Sequence, residues 1–164
     1  MADPSMRVWR ICKARYAATA FDGEGARIYS GRWHRAGTPV VYTSTSRSLA
    51  ALELLVHVDL NLVPADFVLI SADVPDDSIL GVSAESLPAD WKRMPPEAAS
   101  QDLGTAWARA AETLALRVPS VVMPGEENVL LNPRHPEFPR VEVGEPEPFA
   151  FDPRLRSDPP EASP

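Results

Sequence analysis

Apolar and polar positions alternate with period two over Arg7-Val8-Trp9-Arg10-Ile11-Cys12, which predicts a first strand with Val8, Arg10 and Cys12 on one face. A second strand is expected over Pro39-Val40-Val41-Tyr42-Thr43-Ser44, where β-branched and aromatic residues run together. Between them, Asp22-Gly23-Glu24-Gly25-Ala26 reads as a turn and Ser30-Gly31-Arg32-Trp33 as a second tight spot. The period then changes. Leu49, Leu52, Val56 and Leu60 recur at helical spacing behind Ser44, Thr45 and Ser46, each a possible helix N-cap. Ala65 to Val74 reads as another strand, and Leu87 to Met94 as a short helical piece before Pro95-Pro96. Ser100 is expected to cap a second long helix with Leu103, Trp107, Ala110, Ala111 and Leu114 on its inner stripe. Val118 to Met123 reads as a strand, Pro124 to Asn128 as a turn and Val129 to Asn132 as a further strand. Two helices separated by strands predict a β-rich α+β fold in a single compact domain.

Composition narrows the class. The 164 residues are 45% hydrophobic and 24% charged, which excludes collagen, coiled coil and full-length disorder. Cys12 is the sole cysteine, so neither an internal disulfide nor a cysteine zinc site can form. His34, His57 and His135 lack metal-ligand spacing, and no metal is expected. The first residues lack the apolar core of a secretion signal and no apolar run has membrane-spanning length, so a cytoplasmic protein without membrane contact is expected. Eleven of eighteen prolines lie at or after Pro119, predicting short strands and loops there, with a domain over residues 1–155 and a flexible tail over 156–164.

Charge is uneven. Residues 1–60 hold eight Lys/Arg against five Asp/Glu, net +3, and residues 61–164 hold eight against eighteen, net −10. A broad nucleic-acid interface needs clustered cations and is not expected. A small anionic ligand gripped by arginines of the first third fits, as do arginines scattered over a solvated surface.

Four residues carry candidate chemistry. Glu53 borders the apolar stripe of the first long helix, with His57 at i+4. Such a carboxylate either reaches water past its neighbours or lines a pocket, where it stabilises positive charge in a bond-breaking step. Arg32, between Gly31 and Trp33, either stacks on the tryptophan or grips phosphate. Tyr42 is either a core ring or a stacking platform for a base or nicotinamide. Ser120 lacks a Gly-x-Ser-x-Gly elbow and reads as a satisfied buried hydroxyl, and His135 reads as turn chemistry.

In their order and spacing these landmarks resemble the RES domain family, the toxin half of bacterial RES–Xre toxin–antitoxin pairs. The likeness runs through Arg10, Arg15-Tyr16, Phe21-Asp22-Gly23-Glu24-Gly25-Ala26 and Gly31-Arg32-Trp33. It continues through Pro39 to Ser44, Leu49 to Glu53, Val56-His57, Pro119-Ser120, Asn128, Leu131-Asn132-Pro133 and His135-Pro136. Ser30 and His34 stand where the family usually has Gly and Asn, which puts one ligand contact in question at His34. The resemblance implies an ADP-ribosyltransferase-like, β-rich core with flanking helices. It implies NAD+ as substrate, cleaved at the nicotinamide–ribose bond. Arg32 is then expected to hold pyrophosphate or ribose, Tyr42 to pack on the nicotinamide side, and Glu53 to bind a ribose hydroxyl and stabilise the oxocarbenium. Ser120 is expected to orient the nicotinamide end, while Arg10, Arg15, Tyr16 and Asn128 are expected to line the same cleft. A helix-turn-helix, Xre-like antitoxin covering that cleft is the implied partner, in a hetero-oligomer. Open at this point are the acceptor (water, phosphate or a protein side chain) and a different class, a binding module with a degenerate pocket. An RNA-cleaving toxin is disfavoured by the charge.

Overall fold

The computed structural model describes residues 3–61 and 66–156. Its strands are β1 (Ser5–Lys13), β2 (Val41–Ser44), β3 (Phe67–Pro75), β4 (Ile79–Gly81), β5 (Ala115–Pro119), β6 (Glu127–Leu131), β7 (Glu142–Val143) and β8 (Glu147–Phe149). They form one sheet in the order β4-β5-β6-β2-β1-β3-β7, with β8 also on β3. Only the β4–β5 pair is parallel, among the described residues. Among the described residues three α-helices flank it: α1 (Glu24–Ile28), α2 (Arg47–Leu55) and α3 (Ala98–Ala110). The fold is α+β in a single domain, as its patterning predicts.

Strand alternation divides the apolar residues between two layers. On one side Val8, Val41, Ala72, Val74, Ala115, Val129 and Leu131 pack together. Their alternates Leu116, Val118 and Leu130 meet Trp33, Trp91 and Trp107, and so dock α3. A third group, Ile11, Phe67, Leu69 and Phe151 with Ala50, seats α2. β1 and β3 pair along their whole length, Ser5↔Pro75 to Lys13↔Phe67. β1 and β2 meet at a single pair, Trp9↔Ser44, among the described residues. Arg10 Nη1 donates to the Tyr42 carbonyl there at 2.9 Å, so a side chain satisfies what a strand ladder otherwise would.

Several elements differ from their sequence expectation, each for a local reason. The Asp22 to Ala26 turn opens into α1: Gly23 at φ 73 is its N-cap, and Glu24 pairs with Arg27 one turn on. Ser46, of the three candidates, caps α2, its Oγ accepting from the Leu49 N–H at 3.1 Å. α2 stops at Leu55, so Val56 is exposed and Leu60 packs from beyond the helix. The β-branched Val56 and Val58 and the turn-forming Asp59, which accepts from the Asn61 N–H, do not extend it. Leu87 to Met94 forms turns held by three-residue backbone bonds, Trp91 to Pro88 and Arg93 to Asp90, rather than a helix. Pro88 withholds an N–H at the start of that stretch. α3 begins two residues before Ser100, behind Glu97, and Ser100 is buried inside it. Its buried stripe is Ser100, Gly104, Thr105, Trp107 and Ala108, while Ala110 is exposed and Ala111 and Leu114 lie past its end. The strand expected over Val118 to Met123 is β5, ending at Pro119. Ser120 Oγ then accepts from the Val122 and Met123 N–H groups at 3.1 Å each and turns the chain. Ala65, the first residue of the third expected strand, and residues 157–164 of the expected tail lie outside the described residues. Among the described residues no helix is long and apolar enough to cross a membrane.

Candidate active site

A cleft of about 960 Å³ opens where β1 and β2 part, floored by Trp9, Arg10 and Tyr42 and walled by Arg32, Glu53 and Asn128. Pockets for small molecules run roughly 300–1,000 Å³, so this one is at the large end of that range.

The anionic corner is built by the sheet. Ser44 on β2 and Asn128 on β6 face each other in register. Ser44 Oγ donates to Asn128 Oδ1 at 2.7 Å, which turns the Asn128 amide N–H outward. Asn128 Nδ2 donates to Glu53 Oε1 at 2.7 Å. Ser120 Oγ donates to the same oxygen, also at 2.7 Å. Glu53 projects from α2, which Leu49 and Ala50 bury against the sheet. One carboxylate oxygen is thus held by two donors, while the carboxylate remains part of the cleft wall. Its geometry is set before any ligand arrives.

The cationic side is built by irregular chain. Arg32 Nη1 donates to the carbonyls of Trp91 at 2.8 Å and Arg93 at 3.1 Å, and Nη2 contacts Met94 Sδ at 2.9 Å. Partial burial lowers the Arg32 guanidinium from its usual value, and the Glu53 and Tyr42 side chains oppose that. Burial also lowers the Arg10 guanidinium, against the opposing Cys12 and Asp22 side chains, and its Nε N–H has no partner among the described residues. Neither arginine is in an ion pair there. Two guanidinium groups without carboxylate partners, facing one carboxylate across a cleft, suit a ligand that is anionic at one end and develops positive charge at the other.

α3 braces the turn that carries Arg32. Gln101 Nε2 donates to the Gly31 carbonyl at 3.1 Å, and the Arg35 N–H donates to Thr105 Oγ1 at 2.9 Å. Arg35 also pairs with Asp102. Gly104 lets the helix and turn touch: a Cβ there would run into the Trp33 carbonyl oxygen.

The structure therefore brings Arg10, Arg32, Tyr42, Glu53 and Asn128 to one cleft and sets Ser120 behind Glu53 as its hydrogen-bond donor. Arg15 and Tyr16 do not join them. They sit on the 3-10 turn Ala14–Thr19, exposed, with the Arg15 guanidinium 4.8 Å from the Tyr16 ring centre. Arg10 and Arg15 thus differ because the turn after Lys13 carries Arg15 away from the strand that places Arg10. His57 lines the cleft mouth beyond α2. His135 serves the turn expected of it, its Nδ1 accepting from the Glu137 N–H at 3.0 Å. Ser30 and His34 both brace the Arg32 turn from within: Ser30 Oγ accepts from the Ala36 N–H at 3.0 Å, and His34 bonds to Tyr42 behind the cleft. Sequence reasoning missed Ser44, taken only as a possible cap, and Gly104, whose sole trace was a glycine inside a helical pattern.

Comparison with known proteins identifies the family and the fold. The RES domain family model matches residues 7–152, and the chain belongs to that family. It is 40% identical over 133 residues to Toxin Res of Photorhabdus laumondii subsp. laumondii, covering 81% of this chain and 85% of the relative. Toxin Res of Yersinia enterocolitica is 39% identical over 152 residues, covering 92% of this chain and all of the relative. The Prs ADP-ribosylating toxin of a Sphingobium species is 36% identical over 152 residues, covering 90% and 94%. A chain of the M. tuberculosis MbcT–MbcA toxin–antitoxin complex has the same fold, with a TM-score of 0.73 over 90% of this chain and 86% of that one at 18% identity.

Proposed function

We propose that this chain is the toxin of a toxin–antitoxin pair and that its cleft takes NAD+ as substrate, breaking the nicotinamide–ribose bond. The observation that carries the reading is the pairing, in one cleft, of Arg10 and Arg32, neither in an ion pair among the described residues, with a Glu53 carboxylate held by Ser120 and Asn128. The names of the relatives support the toxin assignment. The arginines take the pyrophosphate and Tyr42 offers its ring to the nicotinamide end. Glu53 faces the ribose. As the C1′–N bond breaks, its electron pair leaves with nicotinamide, which becomes neutral, and positive charge moves onto the sugar. The Glu53 carboxylate stabilises that charge. An acceptor oxygen then bonds to C1′ and loses its proton. Ser120 and Asn128 act through Glu53, fixing its orientation. With water as acceptor the products are ADP-ribose, nicotinamide and a proton, and with phosphate ADP-ribose-1″-phosphate.

A second reading, transfer of ADP-ribose to a host protein, is favoured by one observation: the Sphingobium relative is named a Prs ADP-ribosylating toxin. Both readings use the same cleft, and both place a helix-turn-helix antitoxin over it in a hetero-oligomer. The test is incubation of the purified chain with NAD+, with and without phosphate and with a cell extract, followed by product identification. Free nicotinamide with ADP-ribose or its 1″-phosphate supports the first reading, and a modified protein band the second. Intact NAD+ in all arms overturns both. Expression without the antitoxin is expected to lower cellular NAD+ under the first reading.

A further inference from the structure

Behind Tyr42 lies a buried histidine that the reading above does not use. His34 is 3% exposed and is not part of the cleft lining. Its Nε2 lies 2.7 Å from the Tyr29 carbonyl oxygen and 3.1 Å from that of Ala26. Carbonyl oxygens only accept, so Nε2 carries the ring proton. In that tautomer Nδ1 is an acceptor. The Tyr42 hydroxyl, 2.6 Å away, donates to it. That hydroxyl oxygen in turn accepts from the Trp33 N–H at 3.2 Å. Burial raises Tyr42 well above the usual phenol range, so the proton needed for this chain stays on the hydroxyl. The His34 backbone completes the brace: its carbonyl accepts from the Gly31 N–H at 3.1 Å and closes the turn bearing Arg32. The packing leaves no slack, because a Cβ on Gly31 would stand 2.7 Å from the Tyr42 hydroxyl and 2.8 Å from the His34 ring.

We propose that His34 is a positioning residue for the cleft: its ring ties the end of α1 to Tyr42, and so sets the direction of the Tyr42 hydroxyl and the placement of the Arg32 turn. Its kinetic test rests on the NAD+ reading, and its spectroscopic test does not. A consequence is chemical. The Tyr42 proton is committed to His34 Nδ1, so Tyr42 works through its ring face and donates no proton to a leaving group.

Two substitutions separate the ends of the imidazole. His34→Asn puts an amide near the Nδ1 position and keeps a partner for Tyr42. His34→Gln puts one near Nε2, keeps the donor to Tyr29 and leaves the Tyr42 hydroxyl without its acceptor. His34→Gln is expected to lower kcat for NAD+ cleavage about 10–100-fold with a smaller change in KM, the size of effect that misplaced groups produce. His34→Asn is expected to recover most of that loss. Side-chain nitrogen NMR of the full chain labelled at histidine reads the tautomer without substrate, the His34 resonances being those lost in His34→Asn. The expected result is protonated Nε2 and an Nδ1 resonance that shifts in Tyr42→Phe. An Nδ1-protonated ring, or an Nδ1 resonance indifferent to Tyr42→Phe, overturns the proposal. So does wild-type turnover in a folded His34→Gln. If the wild type leaves NAD+ intact, the functional reading falls while the NMR arm still decides His34. If His34→Gln does not fold, the wild-type and Tyr42→Phe spectra decide it.

Discussion

The two walls of the cleft are made by different means. The Glu53 wall is an extension of the sheet: Ser44 and Asn128 stand opposite each other because β2 and β6 are in register, and Ser120 follows the last residue of β5. Each polar group there answers to another side chain on a neighbouring rigid element. The Arg32 wall is a turn, held by main-chain carbonyls of the irregular segment at residues 91–93 and by the flank of α3. Under the proposed function, the carboxylate that faces developing charge sits on the sheet frame, where electrostatic preorganisation costs no rearrangement during reaction. The cation proposed to grip the pyrophosphate sits on the part whose geometry depends on packing between distant segments.

That contrast predicts different failures on the two sides. The largest is chemical and falls on the sheet side. Glu53→Gln keeps shape and an acceptor for Ser120 and Asn128 but loses the charge. Single-turnover NAD+ cleavage is expected to drop about 10²–10³-fold, roughly 3–4 kcal/mol of barrier, with little change in NAD+ affinity. A thermal melt beside it should stay near wild type. Near-normal turnover in the folded variant would remove Glu53 from the mechanism.

Gly104→Ala should fail the other way. The added methyl meets the Trp33 carbonyl, which is backbone and cannot rotate aside. α3 and the Arg32 turn must separate, and denaturant unfolding is expected to show a loss of about 3 kcal/mol. Unchanged stability would mean that the turn is not wedged on α3.

Within the sheet side, depth should grade the response. Ser120→Ala removes one of two donors to Glu53 and the acceptor for two N–H groups of the following turn. A loss of about 1–2 kcal/mol in stability and about tenfold in turnover is expected. Ser44→Ala acts only through Asn128 and should cost less in both. Equal losses would break the idea of a graded chain running Ser44, Asn128, Glu53.

The smallest effect belongs to the exposed Arg35–Asp102 pair on the Arg32 side. Arg35 holds the Asp102 carboxyl below its usual range. A depressed folded-state pKa stabilises above the unfolded value and is lost as pH falls through the folded one. Asp102→Asn should therefore melt slightly lower than wild type at neutral pH, and the two curves should converge in acid. A gap that persists in acid would assign the effect to shape rather than charge.

Local pattern by itself determined the strand of residues 7–12, the β2 strand, a helix behind the three cap candidates Ser44, Thr45 and Ser46, and a carboxylate beside its buried stripe. These follow from alternation, helical spacing and capping chemistry, which act within a few residues. Glu53, Arg32 and Tyr42 were legible as candidates for that reason, each with a bland alternative left standing. The likeness in motif order, rather than the residues' own chemistry, is what singled out Arg10 and Asn128 and also suggested Arg15 and Tyr16. Tertiary structure alone decided which of these share a cleft. Arg10 stays because β1 and β2 part beside it, and Arg15 leaves because the 3-10 turn after Lys13 points elsewhere. Tertiary structure also made Ser120 a donor to a glutamate 67 positions away, turned Ser44 from a cap candidate into the far end of that chain, and gave Gly104 its necessity. The reason is range. Propensity and periodicity report what a residue does with its near neighbours, whereas hydrogen-bond partners and close approaches between a turn, a helix and a sheet exist only once apolar burial has brought those segments together.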